Sequence, residues 1–260
     1  LSGKLNKNWR IGLMNMQTAK KEELDLEAQN YSVAAFQRQV FDRSNIAGIF
    51  VNRQGFQDEK MQASDFNRIV GLDYNLASAD SKWQGKFFYH HSFTDSSNGM
   101  ANASWLMFNT NTIEAHWNHE YVDQNYNADF GFVPRGSVYN PETDDIQKLS
   151  YWRLEPWFSY KFYPESSGIN WHGPGIYYDH YMNADFTTTD RLINPYYKVK
   201  MENTAYFEFN YYETFTKLRF DTDVTFTGKQ PIPKGGYHYR DAEVVALSNK
   251  RKKLNGRVSA

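Results

Sequence analysis

From residue 197 to 212 the chain reads YKVKMENTAYFEFNYY, with apolar side chains at almost every second position. Tyr197, Val199, Met201, Ala205, Phe207, Phe209 and Tyr211 fall on one side, and Lys198, Lys200, Glu202, Thr204, Tyr206, Glu208 and Asn210 on the other. A repeat of two belongs to an extended strand with two unlike faces; a helix would repeat at about 3.6. Residues 151–163, YWRLEPWFSYKFY, alternate in the same way: Trp152, Leu154, Phe158, Tyr160 and Phe162 oppose Arg153, Glu155, Ser159 and Lys161. The pattern predicts further strands at 69–77, 83–93, 100–108, 113–121, 127–133 and 217–226, and also at 9–17, 31–40, 46–53, 175–182 and 237–247. Turn-like stretches separate them: DSSNG (95–99), NYNAD (125–129), NPETDD (140–145), YPESSGIN (163–170) and KQPIPKGG (229–236). No segment reads as an amphipathic helix. The expected fold class is all-β and antiparallel.

Length and composition narrow this further. The 260 residues suffice for one large domain, and no linker or composition shift divides them, so residues 1–260 read as a single β domain. Aromatic residues make up 17% of the chain, with 19 Tyr, 19 Phe and 7 Trp, although the mean hydropathy is −0.75. Many aromatics on a polar chain favour strands. A net charge of −1 argues against a nucleic-acid partner. The absence of cysteine excludes a disulfide framework and thiolate metal sites. No apolar run is long enough for a membrane helix. The opening LSGKLNKNWR lacks the apolar core of a signal peptide, which fits either a cytoplasmic protein or a mature or partial chain.

Several of the predicted strands exceed the usual length of about five or six residues. About nine to eleven residues, tilted by about 45°, cross a bilayer. Aromatics gather towards strand ends, as at Phe87, Phe88 and Tyr89 and at Tyr206, Phe207, Phe209, Tyr211 and Tyr212, the habit of interfacial girdles in membrane barrels. These features predict a transmembrane β-barrel, or a barrel segment, of about twelve to fourteen strands. Alternation alone does not say which face is enclosed. A soluble β-sandwich glycan-binding module, with aromatics as sugar platforms, therefore stays open as an alternative.

The blocks NWRIGLMNMQT (8–18), NYSVAAFQRQV (30–40), SNIAGIFVNRQ (44–54), FNRIVGLDYNL (66–76) and YNADFGFVPRG (126–136) occur in an order that resembles the barrel region of a Bacteroidetes outer-membrane family. Members of that family carry an N-terminal domain similar to family-9 carbohydrate-binding modules, and the barrel region is known as domain of unknown function 5916. The likeness covers roughly the first half of the chain, to about Gly136. It implies a bacterial outer-membrane location and an antiparallel transmembrane β-barrel, with a link to glycans through the N-terminal domain. It brings no catalytic residues. The chain lacks that domain and ends in NKRKKLNGRVSA rather than a terminal aromatic, so it is expected to be part of a longer protein or a larger barrel.

Residues 112–121, TIEAHWNHEY, concentrate two histidines and two glutamates. On a strand, Glu114, His116 and Glu120 share one face while His119 joins Trp117 on the other. The two histidines therefore cannot hold one ion through this strand, and the order HWNHE is not the zinc-binding HExxH. His90 falls with Lys86 on the polar side of its strand. The candidates for a polar, lumen-facing lining are Glu114, His116, Glu120, His90, Arg153, Glu155, Lys198, Lys200, Glu202 and Glu208. Arg38, Arg68, Asp73, Lys217, Arg219, Asp221 and Asp223 are read the same way. Both signs are present, which favours ion-pair networks over a charge-selective pore. No catalytic motif, metal site or cofactor site is evident. The expected function is a non-enzymatic channel, transport element or scaffold in the outer membrane, in contact with lipid and with envelope proteins or glycans. An outer-membrane barrel hydrolase is the enzymatic alternative.

Overall fold

The computed structural model describes every residue except Phe130, Phe132, Ser166, Ser167 and Phe226. Among the described residues the chain is all-β, 67% strand with no α-helix, and holds seventeen strands. They are β1 (Ser2–Lys4), β2 (Trp9–Gln17), β3 (Ala28–Val40), β4 (Ser44–Gln57), β5 (Lys60–Ala77), β6 (Trp83–Thr94), β7 (Asn98–Asn109), β8 (Ile113–Val122), β9 (Ser137–Asn140), β10 (Asp145–Lys148), β11 (Tyr151–Leu154), β12 (Trp157–Tyr160), β13 (Ile169–Asn183), β14 (Thr188–Met201), β15 (Tyr206–Leu218), β16 (Gly235–Leu247) and β17 (Arg257–Ser259). β9 and β10 pair with each other. The other fifteen form one large sheet in which β1 to β8 follow in order, then β11, β13, β14, β15, β16 and β17, with β12 between β8 and β13. The chain forms two compact units: Leu1–Trp105, Glu120–Tyr139 and Ile146–Tyr151 in the first, Leu106–His119, Asn140–Asp145 and Trp152–Ala260 in the second.

In the first unit, register fixes two faces. One row runs Val33–Val51–Ile69–Ser92 and the next Ala34–Phe50–Val70–His91. In the second unit the corresponding rows are Lys198–Glu208–Val245 and Tyr197–Phe209–Val244. Adjacent residues differ sharply in exposure: Ile69 6% against Val70 52%, Asn210 4% against Phe209 50%, Val245 4% against Val244 54%. The exposed rows are apolar and aromatic. The shielded rows are mixed: Val51, Ile69 and Val245 are buried there beside Asn67, Ser92, Ser159, Asn194 and Asn210.

Several predicted strands match closely, among them 9–17, 83–93 and 113–121. Others need correction. Residues 151–163 form two short strands, because Pro156 has no N–H for the ladder. The Pro156 carbonyl still accepts from Tyr178 N–H at 3.0 Å, so the line of the strand continues. Residues 197–212 are a hairpin. Thr204 N–H closes the turn on the Met201 carbonyl at 3.0 Å, with Thr204 at φ +77°. Residues 217–226 leave the ladder after Leu218, and Phe226 lies outside the described residues. In the predicted strand 127–133, Phe130 and Phe132 lie outside the described residues and none of the others is in a strand.

β4 and β5 join through a two-residue turn at Asp58 and Glu59, with φ of +49° and +62°. Such turns favour Asn-Gly, because left-handed backbone costs a side-chain-bearing residue free energy. The double substitution Asp58→Asn with Glu59→Gly is expected to raise stability by roughly 1 kcal/mol, read as a higher denaturant midpoint with an unchanged slope. Between β5 and β6, the Asp80 carboxylate accepts from Ser78 Oγ (2.7 Å) and Lys82 N–H (3.1 Å), and Lys82 Nζ lies 3.2 Å away. These contacts, the Ser78 hydroxyl first, bring its pKa down to about 2. Its contribution is present above the ordinary carboxylate range and is lost as pH falls through about 2. An NMR titration of Asp80 should show this, and Ser78→Ala should move the midpoint up.

Candidate functional site

The polar face carries the chemistry, and its charges are mostly paired across strands. Arg153 is the hub of the second unit. Its Nε and Nη2 donate to the two oxygens of Asp179 at 2.9 and 3.0 Å, and Nη2 lies 2.9 Å from Glu155. Glu155 also accepts from Asn118 (2.9 Å) and the Tyr177 hydroxyl (2.6 Å). A planar guanidinium suits this two-oxygen grip better than an ammonium.

Further along the same face, Lys161 Nζ lies 3.4 Å from Glu114 and Lys198 Nζ 3.5 Å from Glu208. The Tyr206 hydroxyl donates to Glu208 at 2.6 Å. The lysines also sit over aromatic rings, Lys161 over Trp171 at 5.5 Å and Lys198 over Tyr196 at 4.1 Å. His116 faces Trp157 across the β8–β12 pair, ring on ring at 5.5 Å. Glu114, Lys161, Lys198, Trp157, Trp171, Tyr196 and Tyr206 line a cavity of about 350 Å³. Gly175 helps shape it, since a methyl group there would overlap the Tyr196 ring.

The remaining candidates lie elsewhere. Lys200 lies over the Tyr206 ring at 5.9 Å. Glu202 sits exposed in the β14–β15 turn rather than on a strand. In the first unit, Tyr151 donates to Glu120 at 2.6 Å. Asp73 bridges His90 (2.8 Å) and Lys86 (2.9 Å). Two arginines read as polar-face residues belong to the other side: Arg38 is in register with Ile46 and lies over Trp9, and Arg68 lies over Phe66. Long aliphatic stems let them lie along an apolar surface. No group of three or more His, Asp or Glu is placed to hold a metal among the described residues.

Also in the first unit, the chain after β8 folds back over the polar face. Asn127 N–H donates to Ser92 Oγ at 3.0 Å, Asn67 donates to the Asn127 carbonyl at 3.0 Å, and Arg53 joins Asp129 and Asp65 at 2.6 Å each. Gly99 admits the Asn125–Tyr126 backbone, which would collide with any Cβ there. Sequence alone does not single out Asp179, Trp171, Tyr196 or this Arg53 cluster. Asp179 was within reach, because Gly175, Tyr177, Asp179 and Tyr181 fall at period two.

Removing Arg153 leaves two shielded carboxylates facing each other. Arg153→Ala is expected to lower stability by roughly 2 kcal/mol, with Arg153→Lys intermediate. The denaturant midpoint of each variant, measured by tryptophan fluorescence, checks the order.

No family model, no curated protein and no solved structure matches the chain.

Proposed function

We propose that the chain is a transmembrane antiparallel β-barrel, or a large segment of one, in the outer membrane of a diderm bacterium, and that it acts as a passage for polar solutes. The observation that carries this reading is the inverted burial of its two faces. Phe36, Phe50, Val70, Leu72, Phe158, Ile176, Phe207, Phe209 and Val244 are exposed, while ion pairs and amides are sheltered. In water such an apolar surface is costly, at about 25 cal/mol per Å²; against lipid tails it is satisfied.

Strand lengths agree with this. β4, β5, β13, β14, β15 and β16 have 14, 18, 15, 14, 13 and 13 residues, enough to cross a bilayer and extend beyond it. No helix among the described residues is long and apolar enough to cross a membrane, so strands would make the crossing. The block order that resembles the Bacteroidetes outer-membrane family favours the same location. A passage for polar solutes, rather than for ions of one sign, fits a polar side on which charges of both signs are paired.

Purified protein should need detergent or lipid to stay monodisperse. It should migrate on gels at two positions depending on heating, and raise the conductance of a planar bilayer. Monodisperse behaviour in detergent-free buffer would overturn the membrane reading. A hydrolytic activity on lipid, peptide or glycan substrates that is lost in Glu114→Ala would overturn the passage in favour of an enzyme.

A further inference from the structure

We infer that the cavity among β8, β12, β13, β14 and β15 binds a neutral saccharide. Its volume of about 350 Å³ lies at the small end of ligand pockets, which span about 300–1,000 Å³, and suits a mono- or disaccharide. A sugar ring presents apolar C–H faces and a rim of hydroxyls, each both donor and acceptor. The cavity offers the counterparts of both. Trp157, Trp171 and Tyr196 provide flat apolar surface in its wall.

Around the rings the lining holds Glu114 and Lys161, 3.4 Å apart, and Lys198, which is paired with Glu208 at 3.5 Å. Charge-assisted hydrogen bonds between such groups are normally about 2.7–2.9 Å long. The longer separations leave each group with bonding capacity for a hydroxyl placed beside both. Each couple is neutral overall, so the wall selects for neither an anion nor a cation. The site is also preorganised: His116 backs Trp157, the lysines rest over Trp171 and Tyr196, and Tyr206 holds Glu208. This inference goes beyond the membrane reading and does not depend on it.

The test is calorimetric and tryptophan-fluorescence titration of the whole chain, in a detergent without a sugar headgroup, against maltose, cellobiose, xylobiose and N,N′-diacetylchitobiose. Glucuronate and glucosamine serve as charged comparisons. At least one neutral sugar should bind and shift tryptophan emission. Trp171→Ala should weaken it by about tenfold. Glu114→Gln, which keeps the volume and turns one acceptor oxygen into a donor, should weaken it too and stands in if Trp171→Ala does not fold. Lys20→Ala, an exposed residue of the other unit, should bind as the parent does. No binding by any neutral sugar, preference for a charged one, or binding unchanged in both cavity variants would overturn the inference. Sugar binding by a protein that needs no detergent would sustain the pocket and overturn the membrane reading alone.

Discussion

The antiparallel hydrogen-bond ladder is the constraint on which the other features depend. It runs without a break from Ala28↔Phe56 to Val40↔Ser44, and from Tyr206↔Leu247 to Leu218↔Gly235. A slip of one residue would exchange every side chain between the two faces. Here that would carry Glu208 into the row of Tyr197 and Val244, and Phe209 among the charges. Both faces therefore oppose a slip, and the register is determined from two sides. The register shifts are local, between Gln54 and Phe56, Ile169 and Trp171, and Tyr181 and Met182.

Once register is set, the polar face must balance its own charge. Its carboxylates and cations come from segments far apart in sequence, as with Arg53 and Asp129 or Glu114 and Lys161. Partial burial raises the cost of leaving any of them alone, which is why Arg153 meets two carboxylates and Asp73 meets both Lys86 and His90. Where the pairs are long and aromatic rings intervene, a cavity is left. Where the chain after β8 lies down, Ser92 and Asn67 spend their hydrogen bonds on its backbone.

Much of this was legible in the sequence. The faces of 83–93, 113–121 and 151–163 can be read from alternation, including the placement of Glu114 and His116 opposite Trp117. The errors have separate causes. Pro156 interrupts a ladder without changing its parity, so the faces survived while the single strand did not. The turn at Glu202–Ala205 contains neither glycine nor proline, and its alternation continues through the bend, so 197–212 looked like one strand. Charge alone puts Arg38 and Arg68 on the polar side, yet register sets them among Ile46, Phe66 and Trp9, where stem and ring contacts hold them.

The sequence by itself determined an all-β chain of long antiparallel strands with one apolar and one polar face, because a side-chain period of two is visible in one dimension. Which face is sheltered was left to the tertiary structure, since alternation is the same whichever side is enclosed. So was the choice of partner for each charge: Arg153 finds Asp179, and Lys198 finds Glu208, only after neighbouring strands have taken up a common register.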